Sequence, residues 1–242
     1  MRCSEAPSCP RGLDLVISAT PSIVVLIPAF NAATPLRALL AELRCHVDPG
    51  RTIVVDDGSA DETAAVAATA GVEVIRHVEN AGKGGALRTG FDWILAHRTF
   101  DAVVTMDADG QHDPADMKSL IDVWTRTEAG LVVGWRKRAR TRMPISRRLS
   151  NKVTSFLVRA RTGQDIRDSQ CGYRLITRRT LEEVRVLSNG FEAETEFILR
   201  AGAKGIQIAS APIHTIYSGE RSFMTHWKTT KAFVRVLLGE YT

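Results

Sequence analysis

Short apolar segments alternate with longer amphipathic segments between residues 22 and 135, and this alternation restricts the chain to very few folds. The apolar segments are rich in β-branched residues, which predicts buried strands. They cover residues 23–27, 52–55, 72–75, 103–106 and 131–133. Strands that alternate with helices form a mostly parallel sheet, so we predict an α/β fold with helices on both faces of such a sheet.

The segments between these strands carry apolar residues at helical spacing. One helix is predicted to start at Pro35, and an alanine-rich helix is predicted from its cap Asp61 through Ala70. Asp113 as a cap and Pro114 as the first residue predict a further helix. The apolar stripes are Leu36, Leu39, Leu40 and Leu43; then Leu87, Phe91, Ile94 and Leu95; then Met117, Leu120, Ile121 and Trp124.

Polar side chains follow three of the strands at the point where each strand ends. Asn31 follows the first strand, Asp56 and Asp57 follow the second, and Asp107 and Asp109 follow the fourth. Ligands of open α/β sheets bind at the carboxyl ends of the strands. We therefore predict a ligand crevice at this edge. The alternative is a set of ordinary polar loops, since an Asp-x-Asp sequence alone is common.

The turn after the fourth strand has the composition of a divalent-cation site. Asp107 and Asp109 are one residue apart, and Gln111 and His112 follow a turn at Gly110. Carboxylates can hold a hard cation that keeps positions open for phosphate oxygens. We interpret His112 as a turn residue rather than a ligand.

Size and composition fit one large domain with short extensions. We divide the 242 residues into an N-terminal extension (1–20), a main domain (21–222) and an amphipathic C-terminal helix (223–242). No apolar run approaches the roughly 18 residues that cross a bilayer, and Glu5 and Asp14 interrupt any signal-peptide pattern. No Cys-x-x-Cys pair occurs, and Cys171 is interpreted as a packed small residue. A cytoplasmic location, free in solution or at the membrane surface, is predicted.

The net charge of +5 is concentrated in one part of the chain. Residues 129–164 contain no carboxylate, and such a block attracts phosphate groups. No nucleic-acid recognition motif is present, so we predict no nucleic-acid partner. The basic residues of the block are Arg136, Lys137, Arg138, Arg140, Arg142, Arg147, Arg148, Lys152, Arg159 and Arg161.

A glycine-rich loop at residues 82–85 precedes the third helix. It matches neither the dinucleotide fingerprint nor the P-loop pattern, which disfavours a dehydrogenase or a P-loop enzyme. Its backbone N–H groups and Lys83 can meet a phosphate at the helix N-terminus. A purely structural glycine turn explains the loop equally well.

Four motifs in this order resemble family 2 glycosyltransferases with a GT-A fold: residues 25–31 (VLIPAFN), 54–59 (VVDDGS), 80–84 (NAGKG) and 106–111 (MDADGQ). Within that family the chain is most similar to the polyprenyl-phosphate hexosyltransferases, the dolichyl-phosphate mannose and glucose synthases. Residues 168–174 (DSQCGYR), 190–196 (GFEAETE) and 212–222 fit the same group. The resemblance covers about residues 22–235 and implies a GT-A Rossmann-like sheet.

The resemblance implies roles for the matching residues. Asp57 would meet the nucleobase of a UDP- or GDP-hexose, and Mg²⁺ or Mn²⁺ on Asp107, Asp109 and Gln111 would bridge its diphosphate. The family often has Glu after the Asn, where this chain has Ala32, so one nucleotide contact is in question. The nucleotide-binding set is Pro28, Ala29, Asn31, Asp56, Asp57, Lys83, Asp107, Ala108 and Asp109.

The acceptor decides which catalytic groups are needed. A lipid phosphate is already anionic near neutral pH and requires cations, which Arg136, Arg148 and Arg174 can supply. A hydroxyl acceptor requires a base, which would be Asp168 or one of Glu192, Glu194 and Glu196, with Asp168 and Glu194 preferred. Either carboxylate could instead have a structural role, such as holding Arg174. The implied transfer inverts the anomeric centre, with Asp107, Asp109, Asp168, Glu194 and Arg136 as the catalytic set.

The C-terminal segment 223–238 combines an apolar face with flanking basic residues. This pattern suits peripheral contact with an anionic membrane, although such helices more often dock on their own domain. The leading hypothesis is an inverting, metal-dependent hexosyltransferase acting on a polyprenyl phosphate. A transferase with a hydroxyl acceptor is the second, and a non-catalytic nucleotide-sugar-binding module is the third.

Overall fold

The computed structural model describes residues 21–136, 145–214, 235–237 and 239, with the backbone alone for residues 145–153. The described strands form one seven-stranded sheet in the order β3-β2-β1-β4-β6-β5-β7. All of them run parallel except β6, which is antiparallel to both of its neighbours. The strands are β1 (Ile23–Ala29), β2 (Thr52–Asp56), β3 (Glu73–Arg76), β4 (Ala102–Thr105), β5 (Leu131–Arg136), β6 (Arg174–Thr177) and β7 (Ile208–Ile213).

The helices connect the strands and pack on the sheet. Helix α3 lies on β1 and β2, helix α4 lies on β5 and β7, and α5 packs against α7. The helices are α1 (Ala33–Leu43), α2 (Thr63–Thr69), α3 (Lys83–His97), α4 (Met117–Thr127), α5 (Ile145–Thr162), α6 (Arg178–Glu183) and α7 (Ala193–Ala203). Within the described ranges, no helix combines the length and apolar character that a bilayer span requires.

Burial of the central strands explains the layered arrangement. Every residue of β2 and of β4 is buried, although successive side chains of a strand point to opposite faces. Both faces of the sheet are therefore covered. This confirms the predicted α/β fold with a mostly parallel sheet and helices on both faces.

The main differences from the sequence prediction lie at element ends. β1 does not stop at Pro28, because Pro28 stays in register with Val55 and the Ala29 carbonyl accepts from the Asp57 N–H at 2.8 Å. Asp61 does not occupy the cap position of α2, which starts after Glu62. The Asp61 carboxylate still accepts from the Thr63 N–H at 3.0 Å.

The predicted division into three parts stays a prediction. Residues 1–20 lie outside the described residues, and so does almost all of the predicted C-terminal helix.

Candidate active site at the carboxyl edge of the sheet

The loops that follow β1, β2 and β4 begin side by side. β1 lies between the other two strands, in register with both. The Leu26 carbonyl of β1 accepts from the Met106 N–H at 3.1 Å, directly after β4. The predicted crevice residues of these three loops therefore share one edge of the sheet.

Asp57 holds the glycine-rich loop in place. Its carboxylate accepts from the N–H groups of Ala81 at 2.8 Å and Gly82 at 2.9 Å. The His77 ring nitrogen Nδ1 lies 2.7 Å from the same carboxylate, and Asp57 is buried. These contacts give Asp57 a structural role in the described residues, and its predicted contact with a nucleobase stays a prediction.

Asn31 and Asp56 shape the loop after β2. Asn31 has a positive φ of 48°, which asparagine tolerates better than most residues, and its side-chain oxygen accepts from the Ala60 N–H at 2.9 Å. Asp56 is fully buried, accepts from the Ser59 N–H and pairs with Arg76 at 3.2 Å. Asp56 therefore supports the loop from inside the protein, and its predicted role in nucleotide binding stays a prediction.

Lys83 lies between two carboxylates from distant parts of the chain. Its ammonium group is 2.6 Å from Asp107 Oδ1 and 2.8 Å from Glu194 Oε1. Burial works against the charged form of Lys83, but the two carboxylates outweigh it and raise its pKa. Burial alone would raise the pKa of Asp107, and the Lys83 charge lowers it to about 2. Lys83 and Asp107 are therefore both charged at neutral pH.

The Gly172 backbone closes one side of this cluster. A Cβ atom there would lie 2.6 and 2.7 Å from the two Asp107 oxygens and 2.8 Å from Glu194 Oε1. The Gly172 carbonyl also accepts from the Thr105 hydroxyl at 2.7 Å, which ties it to β4. A side chain at residue 172 would therefore displace the two carboxylates from these positions beside Lys83.

The turn after β4 is stabilised from within the protein. Asp109 accepts from the Gln111 N–H at 3.0 Å, and Ala108 is buried between the two acids. The Asp107 N–H donates to His112 Nδ1 at 3.2 Å, and the His112 ring stacks on Tyr173. Burial lowers the pKa of His112 to about 4, so the ring is neutral with its proton on Nε2. These contacts support the interpretation of His112 as a turn residue.

The residues of this turn fit a divalent cation that takes some of its ligands from the protein and the others from a substrate. No cluster of three His, Cys, Asp or Glu side chains suited to a metal exists in the described parts of the chain. Mg²⁺ is usually bound through one or two carboxylates together with substrate phosphates. The partly exposed carboxylates of Asp107 and Asp109 meet that requirement, whereas a ligand role of the Gln111 side chain stays a prediction.

Arg136, at the end of β5, forms a bidentate ion pair with Asp168. Arg136 Nε and Nη2 donate to the two Asp168 oxygens at 2.8 and 3.3 Å. The Arg136 charge also contributes to the low pKa of Asp107. The structure thus brings Arg136, Asp168, Asp107, Lys83 and Glu194 into one electrostatically connected group.

The described contacts of Arg174 are structural, and its predicted role at an acceptor phosphate stays a prediction. It is buried, and its guanidinium donates to the carbonyls of Cys171 at 2.7 Å, Ser169 at 3.0 Å and Glu194 at 2.6 Å. These three hydrogen bonds hold the guanidinium against the backbone. The helix that carries Arg148 is described, but the side chain of Arg148 lies outside the described residues.

Glu196, named from the sequence only as one of three possible bases in the run 192–196, supports the site from a distance. Its carboxylate accepts from the N–H groups of Leu187 at 3.2 Å and Ser188 at 2.8 Å, and it pairs with Arg200 at 2.6 Å. The carbonyl of the next residue, Asn189, accepts from the N–H of Gly84, which is adjacent to Lys83, at 2.7 Å. The segment held by Glu196 therefore supports the loop that positions Lys83.

Glu196→Gln is expected to destabilise the fold by about 2 kcal/mol at neutral pH, because it removes a buried charge from three donors. Burial raises the pKa of Glu196, but hydrogen bonds from Ser188, Arg200 and Leu187 lower it overall below the ordinary 4.5. The charge therefore stabilises the fold above pH 4.5 and ceases to do so as pH falls through the lower folded value. Denaturant unfolding of both proteins from pH 7 to pH 3 measures this. Glu182→Gln, in an exposed pair with Arg178, is the control and should show no such trend.

Comparison with known proteins identifies relatives of the chain. The sequence model of Glycosyl transferase family 2 matches residues 24–185. An undecaprenyl-phosphate mannosyltransferase of Micrococcus luteus is 32% identical over 202 residues, covering 79% of this chain and 82% of that protein. A polyprenol monophosphomannose synthase of Mycolicibacterium smegmatis is 31% identical over 206 residues, covering 80% and 77%.

The fold is also shared with a solved structure. Glucosyl-3-phosphoglycerate synthase of Mycobacterium tuberculosis, solved with Mn²⁺, UDP-glucose and phosphoglyceric acid, superimposes with a TM-score of 0.73 at 23% identity. The match covers 91% of this chain and 79% of the other. From its motifs, its sheet and these relatives, the chain belongs to glycosyl transferase family 2 and is a glycosyltransferase with a GT-A fold.

Proposed function

We propose that the chain transfers a hexose from a nucleotide diphosphate sugar to a polyprenyl phosphate, with inversion and with a divalent metal ion. The observation that carries the proposal is the alternation of cations and carboxylates at the sheet edge. Lys83 lies between Asp107 and Glu194, and Arg136 is held by Asp168. The relatives named as undecaprenyl-phosphate and polyprenol mannosyltransferases support this acceptor class.

The donor side is formed by the loops after β1, β2 and β4. Asp107 and Asp109 are the residues that would hold Mg²⁺ or Mn²⁺, which neutralises charge on the leaving diphosphate when bound. Lys83 lies at the start of α3, where backbone N–H groups and its own charge favour phosphate. Pro28, Ala29 and Asn31 lie at the adjacent end of β1 and supply the wall for the nucleoside.

The two candidate bases are both engaged by cations, which favours a phosphate acceptor. Asp168 accepts two hydrogen bonds from Arg136, and Glu194 accepts one from Lys83. In the described residues both carboxylates thus serve as partners of cations. An acceptor phosphate near neutral pH needs no base, only a cation to position it. Arg136, 25% exposed at its side chain, is the group we assign to that contact.

Inversion is the outcome that we propose for a donor and an acceptor phosphate held by two separate groups. If the diphosphate lies at Asp107 and the acceptor phosphate at Arg136, the hexose lies between them. The acceptor oxygen then attacks the anomeric carbon from the face opposite to the leaving diphosphate. A polyprenyl chain on the acceptor also implies work at a membrane surface.

A transfer assay with separate donors and acceptors tests the proposal. Purified protein is incubated with Mn²⁺ or Mg²⁺, UDP-glucose or GDP-mannose, and undecaprenyl phosphate in detergent. We expect hexosyl lipid of inverted anomeric configuration by NMR, formed only when metal and lipid phosphate are both present. Chelation with EDTA should abolish formation, and added Mn²⁺ should restore it.

Two outcomes would contradict the proposal. Transfer to a hydroxyl compound with none to the lipid phosphate would assign the second acceptor class. Metal-dependent binding of UDP or GDP with neither transfer nor donor hydrolysis, across both donors, would leave only a binding module.

A further inference from the structure

Lys83 occupies the position of a cation beside Asp107. Its ammonium group lies 2.6 Å from Asp107 Oδ1, and the Lys83 side chain is only 13% exposed. Asp107 is also one of the two carboxylates that fit a divalent cation at the turn after β4. A cation on Asp107 Oδ1 would therefore meet the ammonium group, and a cation on Oδ2 would lie beside it. Like charges at such short distances repel each other.

Glu194 offers the Lys83 ammonium group a second partner. Glu194 Oε1 is 2.8 Å from the same nitrogen, so the ammonium group can leave Asp107 and keep one carboxylate. Glu194 is buried in the first turn of α7, where the helix N-terminus favours a negative charge. Its backbone carbonyl accepts from Arg174 at 2.6 Å. Glu194 is therefore held by contacts outside the turn after β4.

The backbone on both sides of Lys83 is held in place. The Gly82 N–H donates to Asp57 at 2.9 Å, and the Gly84 N–H donates to the Asn189 carbonyl at 2.7 Å. A Cβ atom on Gly82 would lie 2.3 Å from the Asn189 carbonyl oxygen, so the loop is closely packed there. A change of partner is then confined to the Lys83 side chain, whose flexible four-carbon stem allows the ammonium group to move.

A diphosphate changes which cations this site can hold together. Lys83 is the first residue of α3, where the helix N-terminus and the side-chain charge both favour a phosphate group. A diphosphate there supplies negative charge for Lys83 and oxygen ligands for a divalent cation on Asp107. The two cations would then no longer compete for one carboxylate. Binding of the divalent cation and binding of the diphosphate should therefore favour each other.

We propose that Lys83 is a resident cation that competes with the divalent metal ion for Asp107 until a nucleotide diphosphate binds. With the diphosphate present, the ammonium group pairs with Glu194 and the phosphate, and Asp107 becomes available to the metal ion. The protein then binds the metal ion weakly without the donor and tightly with it. This inference rests on the proposed function for the metal ion and the diphosphate, and it adds how the binding of one is coupled to the binding of the other.

Titration of the full chain with Mn²⁺, with and without UDP, tests the competition. The Kd for Mn²⁺ is measured from the EPR signal of free Mn²⁺, and a titration without protein corrects for the Mn²⁺ bound by UDP itself. For wild type we expect UDP to tighten Mn²⁺ binding at least about tenfold, which is within the usual range of coupling between two sites. Lys83→Met should bind Mn²⁺ alone at least about tenfold more tightly than wild type, and UDP should tighten its binding less.

A control variant and a second measurement accompany the titration. Lys118→Met removes an exposed lysine that pairs with Asp122, and it should bind Mn²⁺ as wild type does. Thermal unfolding of Lys83→Met defines a temperature at which the variant is folded for the titration. A structure of wild type with Mn²⁺ and UDP tests the competition without any variant. It should place the Lys83 ammonium group on Glu194 and beyond hydrogen-bond distance of Asp107.

Three results would overturn the competition: Mn²⁺ binding by Lys83→Met that is no tighter than that of wild type, an equal effect of UDP on both proteins, or a metal-bound wild-type structure in which Lys83 still contacts Asp107. Metal-dependent transfer by wild type together with any of these would leave the proposed function in place. Absence of UDP binding to wild type would refute the donor side of the proposed function, and the titrations with Mn²⁺ alone would still decide the competition.

Discussion

Asp109→Asn is expected to lower hexose transfer by about a thousandfold while leaving the stability of the fold unchanged. The lost negative charge weakens the hold on a divalent cation, which contributes several kcal/mol of transition-state stabilisation, and about 4 kcal/mol corresponds to that factor. Asparagine keeps the oxygen that accepts from the Gln111 N–H. Measurement of kcat/KM over a range of Mn²⁺ concentrations, together with the melting temperature, tests both parts.

The matched control for this variant is Asp122→Asn. Asp122 lies on α4 in an exposed pair with Lys118, so the same chemical change there should leave transfer as it is. Turnover near that of wild type in Asp109→Asn would remove the metal from the proposed mechanism. A loss of activity that is accompanied by a large drop in melting temperature would instead assign Asp109 a structural role.

The sequence predicted the sheet well because its strands are locally encoded. The β-branched runs around Val54 and Val104 place β2 and β4 to within about a residue, and the strict alternation with helices implies parallel pairing. The shared position of Asn31, Asp57 and Asp107 followed from the same topology, since parallel strands deliver their following loops to one edge. The insertion of β6 between β4 and β5 was not foreseen, because its pairing is antiparallel and long-range and has no local signal.

The partners of individual charges could not be predicted, because burial is decided by tertiary packing. From the sequence we predicted that Arg174 contacts an acceptor phosphate. In the structure its guanidinium donates to three backbone carbonyls. Glu194 was proposed as a base, and in the fold it is the second partner of Lys83. In both cases the sequence shows that the residue is charged. Its role depends on its partners, which are backbone carbonyls for Arg174 and the Lys83 ammonium for Glu194, and these are visible only in the structure.

Lys83→Met is expected to reduce both stability and transfer. Met has a similar length but no charge, so Asp107 and Glu194 would face each other without the ammonium group that both approach within 2.8 Å. Breaking a fully buried ion pair costs about 3–5 kcal/mol. Since the Asp107 side chain is 25% exposed, we expect a loss of about 2–3 kcal/mol in the free energy of unfolding. Transfer should fall at least about a hundredfold, because a phosphate-facing cation is lost as well.

A double variant separates the two effects. Lys83→Met/Glu194→Gln removes one of the two facing carboxylates and should recover part of the lost stability, but it cannot restore a cation to the donor site. Stability should therefore rise relative to Lys83→Met while transfer stays low. Lys118→Met, in an exposed pair, is the control and should change stability by less than about 0.5 kcal/mol. If the denaturant midpoint of Lys83→Met equals that of wild type, Lys83 does not hold the two carboxylates together.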